Sequence, residues 1–447
     1  MTSNDVDRTT ESGHPAMDLR SRRRVLLSAM LGNVVEYYDF GLYGTLAVII
    51  SRQFFPAGDG TAALLSTYAG VVLSYALRPV AAMVLGPLAD LKGRRFVLLL
   101  TIAVMSVGTA GIGLLPTYAA IGIAAPIVLL FCRVLQGIGA SVEYTTAANF
   151  IFEHERGNRR NYLAGLSVAS TSVGPLLATL VSYLVITAMP TAAFNSWGWR
   201  IPFLLAIPMA LVGIYIRRHV EETPQFRQMA ELAERSKVKQ TPFRTAVRDH
   251  WGAMLRAIGL GAGQRVGSFV IQAYFVTAMV KAGFAESNAL LASILTYAVG
   301  PIPAIWGGKL ADRYGARIPV IAGYGLFVLL TVPTFLAIGS GSLPLAVVAV
   351  VAFTFINNFV GAPLTTAYVM SFPAEVRASA SALNYNVGTT ALGSTAGLIA
   401  VWLFGLTGTN ATFGWYMTGV CVVSILVALF AMPAAVDEQR RQSIAEA

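Results

Sequence analysis

Apolar runs of 18 residues or more return along nearly the whole of this chain, and about 20 such residues are enough for a helix to cross the hydrocarbon core of a bilayer. A backbone in hydrocarbon must satisfy its own N–H and C=O groups, so single runs of this length fold as helices. Twelve spans are read, at 25–51, 62–88, 95–115, 122–151, 161–188, 199–216, 253–280, 287–308, 317–338, 343–371, 378–406 and 411–432. Charged residues make up 12% of the 447, against roughly 25% in a soluble domain. The expected fold class is therefore an all-α membrane protein with twelve transmembrane helices. The first span follows 24 polar residues and carries two acids, which argues against a cleaved signal peptide.

The formal net charge is +10, from 32 Lys and Arg against 22 Asp and Glu. Position explains that excess without a nucleic-acid partner. With the N-terminus inside, 26 of the basic residues fall in tails and cytoplasmic loops, Arg20, Arg22, Arg23 and Arg24 among them. Only Arg52, Arg200 and Lys281 lie at or near the outer face. By the positive-inside rule both termini are expected in the cytoplasm of a plasma (inner) membrane protein. Cys132 and Cys421 sit in different spans and read as small apolar residues.

The loop after span two reads "GPLADLKGRR" and the loop after span eight reads "GKLADRYGAR". Gly86, Asp90, Gly93 and Arg95 align with Gly308, Asp312, Gly315 and Arg317 at one offset of 222 residues, which also takes Glu153 to Glu375. The chain is thus read as two related six-helix bundles, 25–216 and 253–432, joined by a charged cytoplasmic linker at 217–252. Tails at 1–24 and 433–447 complete the organisation. Parallel repeats of this kind are a transporter architecture with a central site of alternating access.

The repeated G-x-x-x-D-x-x-G-R-R loop and "RVLQGIGA" at Arg133–Ala140 resemble signatures of the major facilitator superfamily. "GNVVEYYDFGLYG", "WGWRIPFLLAIPMALVGIYIRRHVEETPQF" and "FPAEVRASASALNYNVG" are similar to stretches of its metabolite–proton symporter family. That resemblance implies the major facilitator fold and import of organic acids, or of zwitterions such as proline or betaine, together with protons. It also implies a part in proton translocation for Arg133.

An acid at membrane depth is costly and signals function by default. Glu36, Asp39, Phe40 and Tyr43 share one face of helix one by their spacing, and that face is expected to look into the central cavity. Asp39 and Glu36, with Arg133 and Glu143, are the candidates for proton coupling. The competing reading is that one acid merely ties helix one to an arginine of helix two or four. Arg133, Gln136, Ala140 and Glu143 follow one stripe of helix four, but ten residues, about 15 Å of rise, separate Arg133 from Glu143, too far to pair. In the second half Arg265 stands as an apparently unpaired cation whose planar fork suits a carboxylate; the competing reading is that it reaches an acid across the halves or snorkels toward water. Substrate contacts are therefore expected from Arg265 and Arg78, with Tyr43, Gln136, Gln264, Gln272, Asn357 and Tyr385 as polar candidates; those of the second half could equally be interhelical glue.

The loop residues read as a gate. Asp90 can face the positive N-terminal end of a helix in the other half, and Arg94 and Arg95 can bond acids such as Glu153. Gly86, Gly93, Asp312, Arg313, Arg317 and Glu375 complete that set. The expected function is a monomeric, proton-coupled importer of a small organic acid, with a zwitterion importer or a drug exporter as alternatives. The exporter alternative rests on "GLSVASTSVGP" in helix five. No metal-ligand cluster or nucleotide-binding loop is apparent in the sequence and all four histidines fall outside the spans, so neither an enzyme nor a cofactor is expected.

Overall fold

The computed structural model describes residues 33–56, 58–92, 94–140, 160–219, 248–373 and 377–432. Among these residues the chain forms twelve long helices and no strand. They are α1 (33–54), α2 (60–92), α3 (Arg94–Leu114), α4 (from Ala124, described to Ala140), α5 (Arg160–Ala188), α6 (191–219), α7 (251–281), α8 (Glu286–Tyr314), α9 (Arg317–Gly339), α10 (Leu343–Met370), α11 (377–407) and α12 (Ala411–Phe430). The exposed side chains of Leu114, Leu329 and Phe430 belong against lipid, since no polar cover is built over them.

Local signals set the boundaries. The Asp59 carboxylate accepts from the backbone N–H groups of Thr61 (2.8 Å) and Ala62 (3.2 Å), capping α2. Gly315 ends α8 at φ 84°, a left-handed position that a side chain rarely adopts, which gives the repeated glycine of that loop its backbone reason. The sequence places the start of span six at residue 199, but α6 begins at Thr191. Asn195 and Ser196 conceal its apolar face, in which Phe194 and Trp199 are buried and Trp199 meets Phe54 edge-on at 5.6 Å. Span eight likewise continues past 308 to Tyr314.

Among the described residues three stretches wind as π-turns: Phe194–Gly198 in α6, Val270–Tyr274 in α7 and Thr389–Gly393 in α11. Such turns collect at functional sites. The second half is cemented by aromatic rings: Phe353 lies 5.1 Å from both Phe275 and Phe327, and Phe413 meets Phe335 edge-on at 5.4 Å. The halves join mainly where α5 packs on α8 and α2 on α11. A central cavity lies between them.

Candidate coupling and binding site

Helix α1 brings Glu36 and Asp39 onto adjacent turns, and each is 2% exposed. Their face does not look into the cavity as expected; Tyr37 of α1 lines the cavity instead. The reason is that two arginines from neighbouring helices claim the acidic face. Arg78 Nη1 of α2 stands 3.9 Å from Glu36 Oε1. The Arg78 guanidinium lies over the ring of Tyr75 at 3.7 Å and over Phe40 at 4.5 Å. Arg133 of α4 lies over the ring of Tyr43 at 4.0 Å and donates to Gln136 Oε1 at 2.7 Å. Gln136 donates in turn to Thr109 Oγ1 at 2.7 Å, and Thr109 and the charge on Arg133 both act on Asp39. Oδ2 of Asp39 has no hydrogen-bond partner. A buried cation is costly unless hydrogen bonds or π faces compensate it, and here both arginines receive them.

The cavity is built mostly by the second half. It offers about 70 Å³ to water-sized molecules. Arg265, Gln264 and Gln272 of α7, Asn357 of α10 and Tyr385 of α11 line it. Tyr75, Phe269, Tyr297 and Tyr368 add aromatic walls, and among the described lining residues there is no carboxylate.

Arg265 is not the unpaired cation expected from the sequence. Its Nη1 donates to Ile258 O at 3.1 Å, its Nη2 to Asn384 Oδ1 at 3.2 Å, and its guanidinium lies 4.7 Å from the Tyr368 ring centroid. Asn384 is itself fixed by donating to Met254 O at 2.7 Å. Neutral acceptors thus orient the guanidinium without cancelling its charge. Asn357 donates to Ser268 Oγ at 3.0 Å, and Asn358 donates to Gly300 O at 3.1 Å, joining α10 to α7 and α8. Tyr43 and Gln136 do not border the cavity: the Tyr43 hydroxyl donates to Thr67 O at 3.1 Å, and Gln136 is consumed by Arg133 and Thr109. Arg78 stands behind Tyr75 rather than in the lining.

Contacts between the halves flank the cavity at both ends. At the end where α1 finishes, Arg52 Nη1 and Glu286 Oε1 are 3.2 Å apart, and the Tyr68 hydroxyl meets Thr277 Oγ1 at 2.9 Å and donates to Ala273 O. At the other end the Asp312 carboxylate accepts from Asn161 N, Asn161 Nδ2 and Tyr162 N, each at 2.9 Å, on the first turn of α5. A methyl added to Gly308 would stand 2.8 Å from the Asn161 carbonyl carbon, so only glycine permits this approach. Arg317 donates to Leu429 O of α12, within its own half, and Arg313 lies 5.2 Å from the Tyr314 ring. Gly93, Glu143, Glu153 and Glu375 lie outside the described residues, as do the surroundings of Gly86 and the side chains of Asp90, Arg94 and Arg95.

Sequence reasoning passed over Tyr75, Phe269 and Tyr368. The available signal for Tyr75 was its place three residues before a membrane-depth arginine on one helical face.

Three kinds of likeness bear on this geometry. A family profile described as Major Facilitator Superfamily matches residues 29–394. The glycine betaine/proline/ectoine/pipecolic acid transporter OusA of Dickeya dadantii is 32% identical over 418 residues, covering 91% of this chain and 83% of that one. The proline/betaine transporter of Escherichia coli K12 is 31% identical over 444 residues, covering 94% and 88%. Among solved structures, the proton:xylose symporter XylE bound to 6-bromo-6-deoxy-D-glucose superposes with a TM-score of 0.74 at 16% identity, covering 93% of this chain and 97% of that one.

Proposed function

From the premise that this chain belongs to the major facilitator superfamily, and is a multi-pass membrane transporter rather than an enzyme, we propose that it imports a small zwitterion of the proline or betaine type together with protons. The observation that carries this reading is the cavity's composition. One oriented guanidinium, Arg265, suits a carboxylate, while aromatic rings and no described carboxylate suit a cation that is bound by π faces. A plain organic acid, the first expectation from the charge count, would use Arg265 but offer no cation to the Phe269 and Tyr297 rings, whereas Tyr75 and Tyr368 already face arginines. The named substrates of the two relatives, which carry a carboxylate and a nitrogen cation in one molecule, favour the zwitterion.

In this reading the halves divide the work. Arg265 and the amides of α7 and α10 hold the substrate, with Arg78 acting from behind Tyr75. Asp39 carries the proton, with Arg133 as its charge partner and Glu36 paired to Arg78; Glu143 belongs to the same set. The end bearing Asp312 faces the cytoplasm, with both termini, and the end bearing Arg52 faces outward. Asp312 at the first turn of α5 holds the inner gate, and Asp90 plays the equivalent part at α11. The protein works as a monomer in the inner membrane.

The test is uptake into proteoliposomes of labelled proline, glycine betaine and a dicarboxylate under an imposed inward proton gradient. Accumulation of a zwitterion that collapses with a protonophore is the expected result. Accumulation of the dicarboxylate without competition from either zwitterion would overturn the substrate class, and accumulation indifferent to the gradient would overturn the coupling.

A further inference from the structure

Of the side chains bordering the cavity, Tyr75 also touches the charge network of the first half. Its ring carries the Arg78 guanidinium at 3.7 Å, meets Phe269 of α7 edge-on at 4.9 Å and Phe40 of α1 at 5.4 Å, and borders the cavity. Its backbone carbonyl accepts from Thr390 Oγ1 at 3.1 Å, inside the π-turn of α11. Side chains of α1, α2 and α7 therefore surround the ring, and α11 holds its backbone. The Arg78 guanidinium depends on that ring to an unusual degree: its Nε and Nη2 have no hydrogen-bond partner, and its ion pair with Glu36 is long at 3.9 Å. Two π faces, Tyr75 nearer than Phe40, compensate the buried cation. Glu36, Arg78 and Arg133 are the charged groups acting on Tyr75.

We propose that Tyr75 is the positioning residue that links occupancy of the cavity to the Glu36–Arg78 pair. A substrate seated against Arg265 borders the same ring that holds Arg78, so any displacement of the ring changes how well Arg78 compensates Glu36. This rests on the symport reading above and deepens it, because it names the physical element through which substrate and proton sense each other. Coupling arises when each ligand contacts the two states of the protein differently, and a ring shared by both sites supplies such a difference.

The experiment measures protons moved per substrate in proteoliposomes, alongside substrate counterflow exchange, which needs no net proton movement. Tyr75→Leu removes the π face, and accumulation is expected to fall at least tenfold further than exchange does. Tyr75→Phe keeps the face, and its proton-to-substrate ratio is expected to match that of the wild type. Arg78→Lys keeps the charge but loses the plane that stacks, and is expected to lower the ratio as Tyr75→Leu does, with no further drop in the double variant. A wild-type ratio in Tyr75→Leu, or equal loss in Tyr75→Phe and Tyr75→Leu, overturns the proposal. Should Tyr75→Leu fail to fold, a wild-type ratio in Arg78→Lys overturns it alone. Failure of the wild-type protein to accumulate substrate under a proton gradient would instead count against symport itself.

Discussion

Asp312→Asn is the perturbation whose size follows most directly from the structure. The native carboxylate accepts three hydrogen bonds at 2.9 Å, two of them from backbone N–H groups on the first turn of α5. An amide supplies one acceptor oxygen and one NH₂, so wherever it turns, a donor confronts a donor at the helix start. A hydrogen bond to a charged group contributes about 1.5–3 kcal/mol, and the negative charge at a helix N-terminus adds a few tenths more. Loss of one such bond with that charge costs about 2 kcal/mol, which at 1.4 kcal/mol per tenfold is roughly a 30-fold shift toward conformers open at that end. The assay is alkylation of a single cysteine placed in the cavity lining as Thr171→Cys, with a membrane-impermeant thiol reagent supplied from the Asp312 side. Cys132 and Cys421 are both buried and form a quiet background. Labelling should accelerate roughly 30-fold when Asp312→Asn is added. An unchanged rate would refute the idea that this carboxylate holds the end shut.

Asp39→Asn should abolish accumulation of labelled zwitterion against a gradient while counterflow persists; accumulation at the wild-type level would remove Asp39 from the coupling path, and Glu36→Gln run beside it tells which acid carries the proton. Arg265→Gln should raise the substrate Kd about 10- to 100-fold, the loss expected for a charge-assisted hydrogen bond, as read by scintillation proximity binding; a change under threefold would place the carboxylate elsewhere. Glu286→Gln should alter transport less than fivefold, because its partner Arg52 is 61% exposed and such pairs contribute at most about 1 kcal/mol; a collapse in rate would mean that this bridge is a principal outer gate.

The spans and the twofold repeat were legible because both are written in one-dimensional patterns: apolar length, and a glycine–aspartate–arginine spacing that returns after 222 residues. Arg265 was legible as a charge inside an apolar run. Its company was not, since Asn384 lies 119 residues away and only folding brings its Oδ1 to the guanidinium. The same limit governs α1. Spacing put Glu36 and Asp39 on one face, but the choice between cavity and arginine for that face depends on where α2 and α4 pack. Tyr75 went unread because 17 tyrosines dot the chain, and its i, i+3 spacing to Arg78 gives a shared helical face without showing that the cation lies on the ring. The π-turns were invisible for a related reason: a single added residue leaves the apolar count unchanged and shifts only the phase.

That phase shift in α7 has a consequence of its own. Val270–Tyr274 winds wide, with Arg265 and Phe269 before it and Phe275, Thr277 and Lys281 after it. One residue is worth about 100° of rotation at 3.6 residues per turn. Deleting a single residue within the turn would let the helix run regularly, yet would swing its far segment by about that angle, carrying Phe275 off the Phe353 ring and Thr277 away from the Tyr68 hydroxyl. Helix seven is thus two faces spliced out of phase, and its length, more than any one side chain, keeps the cavity wall and the Tyr68 contact aimed at their separate partners.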